Sequence, residues 1–228
     1  MVRTEGWTEL LAAALAHDIG NLAHSLSSAQ RLARAGAGGD FDAAEWAAFV
    51  DRDVDRLRKL GLRLRALAAA REIQSSARLE DACADALAEV DPGGERARRA
   101  DSHSTDSNVR GGADAVRTAI VSLLEHALAA SPTGAPIALA VRDAGGGYAI
   151  VEITAPQATG VIGRARLDTL LDTALRERRG DLSLVLAGAV ADALGGTVYV
   201  ASDSKRGLVL ELYLSSTSRT ASASRDGT

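Results

Sequence analysis

Cysteine occurs once in the 228 residues, at Cys83, so no disulfide closes within the chain and the sequence fits a reducing compartment. Aromatic residues make up only 3%. That scarcity favours close helix packing and leaves a flat cofactor few rings to stack on. The four histidines are scattered and show no metal-ligand spacing, so no metal site is expected. No apolar run is long enough to span a bilayer, and the opening MVRTEGWTEL lacks the charged-then-apolar layout of a secretory leader. A cytoplasmic protein without a membrane partner is the expectation. An excess of basic charge is missing too. A net charge of -4 and a pI near 5.6 do not suit sequence-independent binding to a phosphate backbone, and no nucleic-acid partner is expected.

What the chain does contain is alanine and leucine at helical spacing. From about Thr8 to Ala35, Leu11, Leu15, Leu22, Leu26 and Ala29 form one apolar stripe, and GAGGD then breaks the helix. Asp42 followed by Glu45 resembles a capping box, and Val50, Val54, Leu57, Leu64 and Leu67 mark a second helix to about Ile73. Two long helices on a short link make an antiparallel hairpin, whose wide apolar face a second copy would cover. The run DRDVDRLRKLGLRLR on the second helix reads as a solvated charged face.

Past Ser75 the pattern changes. Leu79–Val90 reads as a helix, residues 91–112 as polar and irregular, and Asp114–Ala130 as another helix. PIALAVRD and YAIVEIT flank AGGG as one hairpin, and TVYVASD and LVLELYL flank SKRG as a second. Between them lie the apolar LDTLLDTAL, read as a packed helix, and a buried helix from Leu182 to Leu194 ended by Gly195. The closing SSTSRTASASRDGT has too few apolar residues to offset its ordering entropy. Three parts follow: a helical hairpin over 1–75, an α+β sandwich over 76–215 and a disordered tail over 216–228.

Within the first helix the segment LAHDIGNLAHSL sets His17, Asp18 and Asn21 close together. A neutral imidazole attacks phosphorus only when its other nitrogen holds the proton, a state that a neighbouring carboxylate favours. Residues four apart stack on one helix face, so Asn21 reaches the same approaching group. The bland alternative is a polar face turned to water. His24 reads as a helix-face residue.

The HDIGN step and the element order together resemble the catalytic core of sensor histidine kinases, over nearly the whole chain. The resemblance implies a dimeric four-helix bundle built from the hairpin, followed by a Bergerat-type sandwich. It casts His17 as phosphoacceptor, Asp18 as the residue that orients or deprotonates it, and Asn21 as the one that positions water or the partner's site.

The nucleotide boxes of that family are altered here. In GADAVRTAIVSLLEHALAAS, Glu125 is kept, but Ser122 and His126 stand where two asparagines are expected. His126 is a poor substitute, because magnesium prefers oxygen ligands. VEITAPQATGVIG offers no aspartate after its strand, Pro156 replaces a flexible position, and the glycines are displaced. The three glycines of the last box fall at Arg179, Asp181 and Ser183. Asp181, at the start of a helix, repels a triphosphate and serves as an ordinary cap.

The combination resembles the degenerate, ChpT-like histidine phosphotransferases. It implies no bound cofactor, ATP binding lost, magnesium left with the partner, receiver domains of response regulators as partners, and a homodimer. The expected activity is a relay of phosphoryl groups between receiver aspartates through His17. A divergent ATP-binding kinase, and a non-catalytic dimer that binds a response regulator or a kinase, are the alternatives.

Overall fold

A computed structural model of the chain describes residues 4–34, 43–70, 75–100, 107–156, 158, 162–170, 181–203 and 206–217. Helix α1 (Thr4–Arg34) and helix α2 (Ala43–Ala70) are followed by strand β1 (Ser76–Arg78), helix α3 (Leu79–Val90), and strands β2 (Ala97–Arg99) and β3 (Asn108–Arg110). Helix α4 (Ala113–Ala130), strands β4 (Ile137–Gly145), β5 (Tyr148–Ala155) and β6 (Ile162–Arg166), helix α5 (Leu182–Ala193), and strands β7 (Thr197–Asp203) and β8 (Gly207–Ser215) complete the order. The GAGGD break, the Asp42 cap and the end of the second helix near Ile73 lie outside the described residues.

The sheet is mixed, in the order β2-β4-β5-β8-β7-β6, with β2 parallel to β4 and every other pairing antiparallel. Alternation along β8 sends Leu208, Leu210, Leu212 and Leu214 into the core, which the apolar faces of α3, α4 and α5 close from one side. On the other side Glu211 accepts from Arg142 and from Arg164, whose guanidinium also lies over the Tyr199 ring, 4.0 Å from its centroid. Both hairpins stand where the alternation placed them. The turn into β5 carries positive φ at Gly145, Gly146 and Gly147, a run that side chains with a Cβ rarely adopt.

Four strands were not foreseen. β1 and β3 pair with each other, each only three residues long. β2 sits inside the stretch read as irregular, where the Asp91 carboxylate accepts from the amides of Arg96 and Ala97, both at 2.7 Å, and turns the chain onto β4. β6 lies in the segment that follows Pro156. Of the segment read as a packed helix, residues 167–170 are helical and the rest lies outside the described residues. The stretch expected to be disordered opens with two bonded residues: the Ser216 amide donates to Gly147 and the Thr217 amide to Asn108. Residues 218–228 lie outside the description.

Asp18, midway along α1, meets Arg56, midway along α2, which is the register of an antiparallel hairpin. The two helices pack more extensively on the sandwich than on each other: α1 runs along α5, and α2 leans on α4. Trp7, Leu10 and Ala14 of α1 are buried in the same core as the sheet. The Trp7 indole rests on the bare backbone of Gly188, where even a methyl group would overlap the ring. Ile19, Val54 and Leu57 stay at least a third exposed, so part of the hairpin's apolar face has no cover among the described residues, while the exposed Leu62 lines a second cleft between α2 and α4.

Candidate functional site

His17 projects from the middle of α1 into a cleft of about 550 Å³ between the hairpin and the sandwich. Its ring is exposed, and its Nδ1 lies 3.3 Å from the side-chain amide nitrogen of Asn21, one turn on. The carboxamide presents a donor or an acceptor after a half rotation, so Asn21 suits either imidazole tautomer. Nε2 has no hydrogen-bond partner among the described residues.

Asp18 stands elsewhere than the sequence suggested. Both of its oxygens accept from Nη2 of Arg56, at 2.9 Å each. The carboxylate therefore holds an arginine of α2, and the residue that touches the imidazole is Asn21.

The far wall is built from α4 and the start of α5. Glu125 takes both terminal nitrogens of Arg63, at 2.6 Å each, a fork-to-fork pair that ties α4 to α2. Burial opposes the charge of Arg63, but the carboxylates of Glu125 and Glu89 outweigh it and raise its pKa. One residue on, His126 Nδ1 lies 2.5 Å from Asp181. Asp181 caps α5 by accepting from the Ser183 amide at 2.8 Å. Burial alone would raise the pKa of Asp181; the bond and charge of His126, with the Ser183 and Leu184 amides, prevail and hold it below the ordinary carboxylate value. Ser122 is fully buried and donates back to the Thr118 carbonyl, a bond turned away from any ligand.

Each of the four carboxylates lining this cleft thus has a cation or an imidazole of its own. Asp18 holds Arg56, Asp55 meets Lys59 at 3.1 Å, Glu125 binds Arg63 and Asp181 binds His126. Three of these cations, together with Arg52, come from the charge run set aside in the sequence. Positions 52, 56, 59 and 63 follow the 4-3-4 spacing of a single helix face, and that spacing was the available signal.

The residues at the three nucleotide-box positions do not suit magnesium–nucleotide. The Ser122 hydroxyl is sealed, the His126 nitrogen is spent on Asp181, and a carboxylate occupies the helix start where backbone amides receive phosphate. Ala155, buried, ends β5, and no aspartate follows it before the described residues break off at Pro156.

No protein-family model matches the chain, and no curated protein does. Solved structures are similar. The histidine kinase AdeS of Acinetobacter baumannii superposes with a TM-score of 0.64 at 16% identity, over 88% of this chain and 98% of that one. Full-length ShkA in complex with AMPPNP gives 0.52 at 17% identity, over 91% of this chain and 46% of that one. The mycobacterial sensor histidine kinase MprB gives 0.50 at 17% identity, over 63% and 98%. The likeness at these identities is one of fold: the chain has the architecture of a histidine kinase catalytic core, helical hairpin and ATPase-like sandwich together.

Proposed function

We propose that this histidine kinase fold serves as a histidine phosphotransferase that works without ATP, passing phosphoryl groups between receiver-domain aspartates through His17. The observation that carries the reading is the contrast across one cleft. On one wall stands an exposed imidazole with a tautomer partner, and on the other a nucleotide face whose groups are bonded to one another. An imidazole so placed needs a phosphoryl donor, and a visiting aspartyl phosphate meets that need.

In the transfer, the Asn21 carboxamide, turned half a rotation from the orientation that places its nitrogen on Nδ1, accepts a hydrogen bond from the Nδ1 proton through its oxygen and leaves the lone pair on Nε2. That pair forms the N–P bond as the P–O bond to the donor aspartate breaks, and the carboxylate leaves with the electrons. The ring, now cationic, loses its Nδ1 proton to water. Reversal onto a second receiver completes the relay, and magnesium stays with the receivers.

The hairpin's exposed Ile19, Val54 and Leu57 support a homodimer through a four-helix bundle. Among the described residues no helix is long and apolar enough to cross a membrane.

The test is incubation of the full chain with a panel of phosphorylated receiver domains, followed by detection of acid-labile phosphate. Label on the wild type and none on His17→Ala is the expected result. Labelling of the chain alone by γ-labelled ATP, or micromolar binding of Mg-ATP, would overturn the ATP-independent reading. Retention of receiver binding by His17→Ala with no label on the wild type would show a binding module instead.

A further inference from the structure

We propose that Arg56 binds the phosphoryl group as it reaches and rests on His17, and that Asp18 holds it there. The inference rests on the phosphotransfer reading and adds the group that neutralises the transferred charge.

Arg56 comes from α2, the helix opposite His17, and lines the same cleft. Asp18, next to His17 in sequence, grips it in a particular way. A single nitrogen, Nη2, donates to both carboxylate oxygens, so Nη1 and Nε keep their protons uncommitted among the described residues. An arginine held by one corner stays in the cleft that His17 lines and keeps Nη1 and Nε as two separate donors. The other cations of the cleft are engaged differently. Lys59 pairs with Asp55, Arg63 is spent on Glu125 and Glu89, and Arg52 lies over the Phe49 ring at 5.2 Å.

The chemistry of the transfer calls for such a group. A phosphoryl group between donor oxygen and Nε2 spreads its negative charge over three oxygens, and a guanidinium nitrogen still free to donate meets one of them with a charge-assisted bond. As the N–P bond forms and the P–O bond breaks, those oxygens keep their charge while the carboxylate leaves with its pair. Arg56 stabilises them without giving up a proton. Asp18, already neutralised by Arg56, does not repel the incoming group. On this view its part in the reaction is to position Arg56.

The experiment modifies the full chain with potassium phosphoramidate and follows the phosphohistidine by phosphorus NMR, the signal being assigned by its loss in His17→Ala. A guanidinium on the phosphoryl oxygens lowers their last pKa. Arg56→Gln is therefore expected to raise that pKa by about one unit, equivalent to about tenfold in proton affinity. Arg56→Lys should fall between, and Arg52→Gln should titrate like the wild type. Initial transfer from a phosphorylated receiver should slow by about tenfold in Arg56→Gln. A purely structural Asp18–Arg56 tie would change thermal stability but leave the titration alone. An Arg56→Gln titration that overlays the wild type therefore overturns the proposal even if receivers label His17 normally. A wild type that no receiver labels overturns the phosphotransfer reading instead, and a His17 that phosphoramidate leaves unmodified overturns both.

Discussion

Arg63 and Glu125 face each other across the seam between α2 and α4, nitrogen to oxygen in two parallel bonds of 2.6 Å. Arg63 is mostly buried and Glu125 about one-third exposed, so neither charge keeps full hydration once the other is removed. Arg63→Ala and Glu125→Ala should each cost about 1–2 kcal/mol by urea unfolding, with the double variant costing less than the sum of the two. Strict additivity would mean that the pair contributes nothing to the seam.

Asp181 makes stability depend on acidity. Its folded-state pKa lies below its unfolded value. Its contribution is therefore complete above the unfolded carboxylate range, near pH 4, and is lost as pH falls through the folded value. Asp181→Asn should flatten that part of the stability-versus-pH curve, and loss of the charged cap should cost about 1 kcal/mol at pH 7. An unchanged acid limb measured by thermal melting would show that the bond to His126 carries no charge-dependent stability.

Gly188 leaves room for the Trp7 ring and for nothing else. Gly188→Ala forces the indole off α5 and should destabilise the protein by about 1–3 kcal/mol, despite the better helix propensity of alanine. Tryptophan fluorescence should shift to the red as Trp7 meets water, and an unmoved spectrum would mean that the ring does not rest there.

The uncovered hairpin face predicts its own experiment. Ile19→Glu or Leu57→Glu should convert a dimer into a monomer by sedimentation, with little loss of monomer stability, because both side chains are more than one-third exposed within one chain. A wild type already monomeric at high micromolar concentration would remove the four-helix bundle.

Much of this architecture was legible because period and punctuation agreed. Leu79–Val90 carries its apolar stripe between a polar start and Asp91-Pro92, and the two hairpins alternate cleanly around Gly-containing turns. The short strands were hidden. Ala97–Arg99 buries one residue and exposes two arginines, so its place at the sheet edge comes from the Asp91 turn and the β4 backbone and leaves no hydrophobic signature. At the site, helical spacing placed His17 and Asn21 on one face, and the structure adds their contact at 3.3 Å. The partner of Asp18 depended on how α2 lies beside α1, a tertiary fact that no local window contains. The cations of α2 were visible as a charge run, but which of them meets which acid is decided by α4 and α5.

The seating of Trp7 on Gly188 bears on recognition. With the first turns of α1 sunk into the sandwich, the helix that carries the imidazole is moored to α5 below the cleft. Under the phosphotransfer proposal, a visiting receiver meets a wall already moored against α5. Discrimination among callers then rests on their rigid contours, and a swap of loop residues on the caller should redirect traffic more readily than any loosening of this chain.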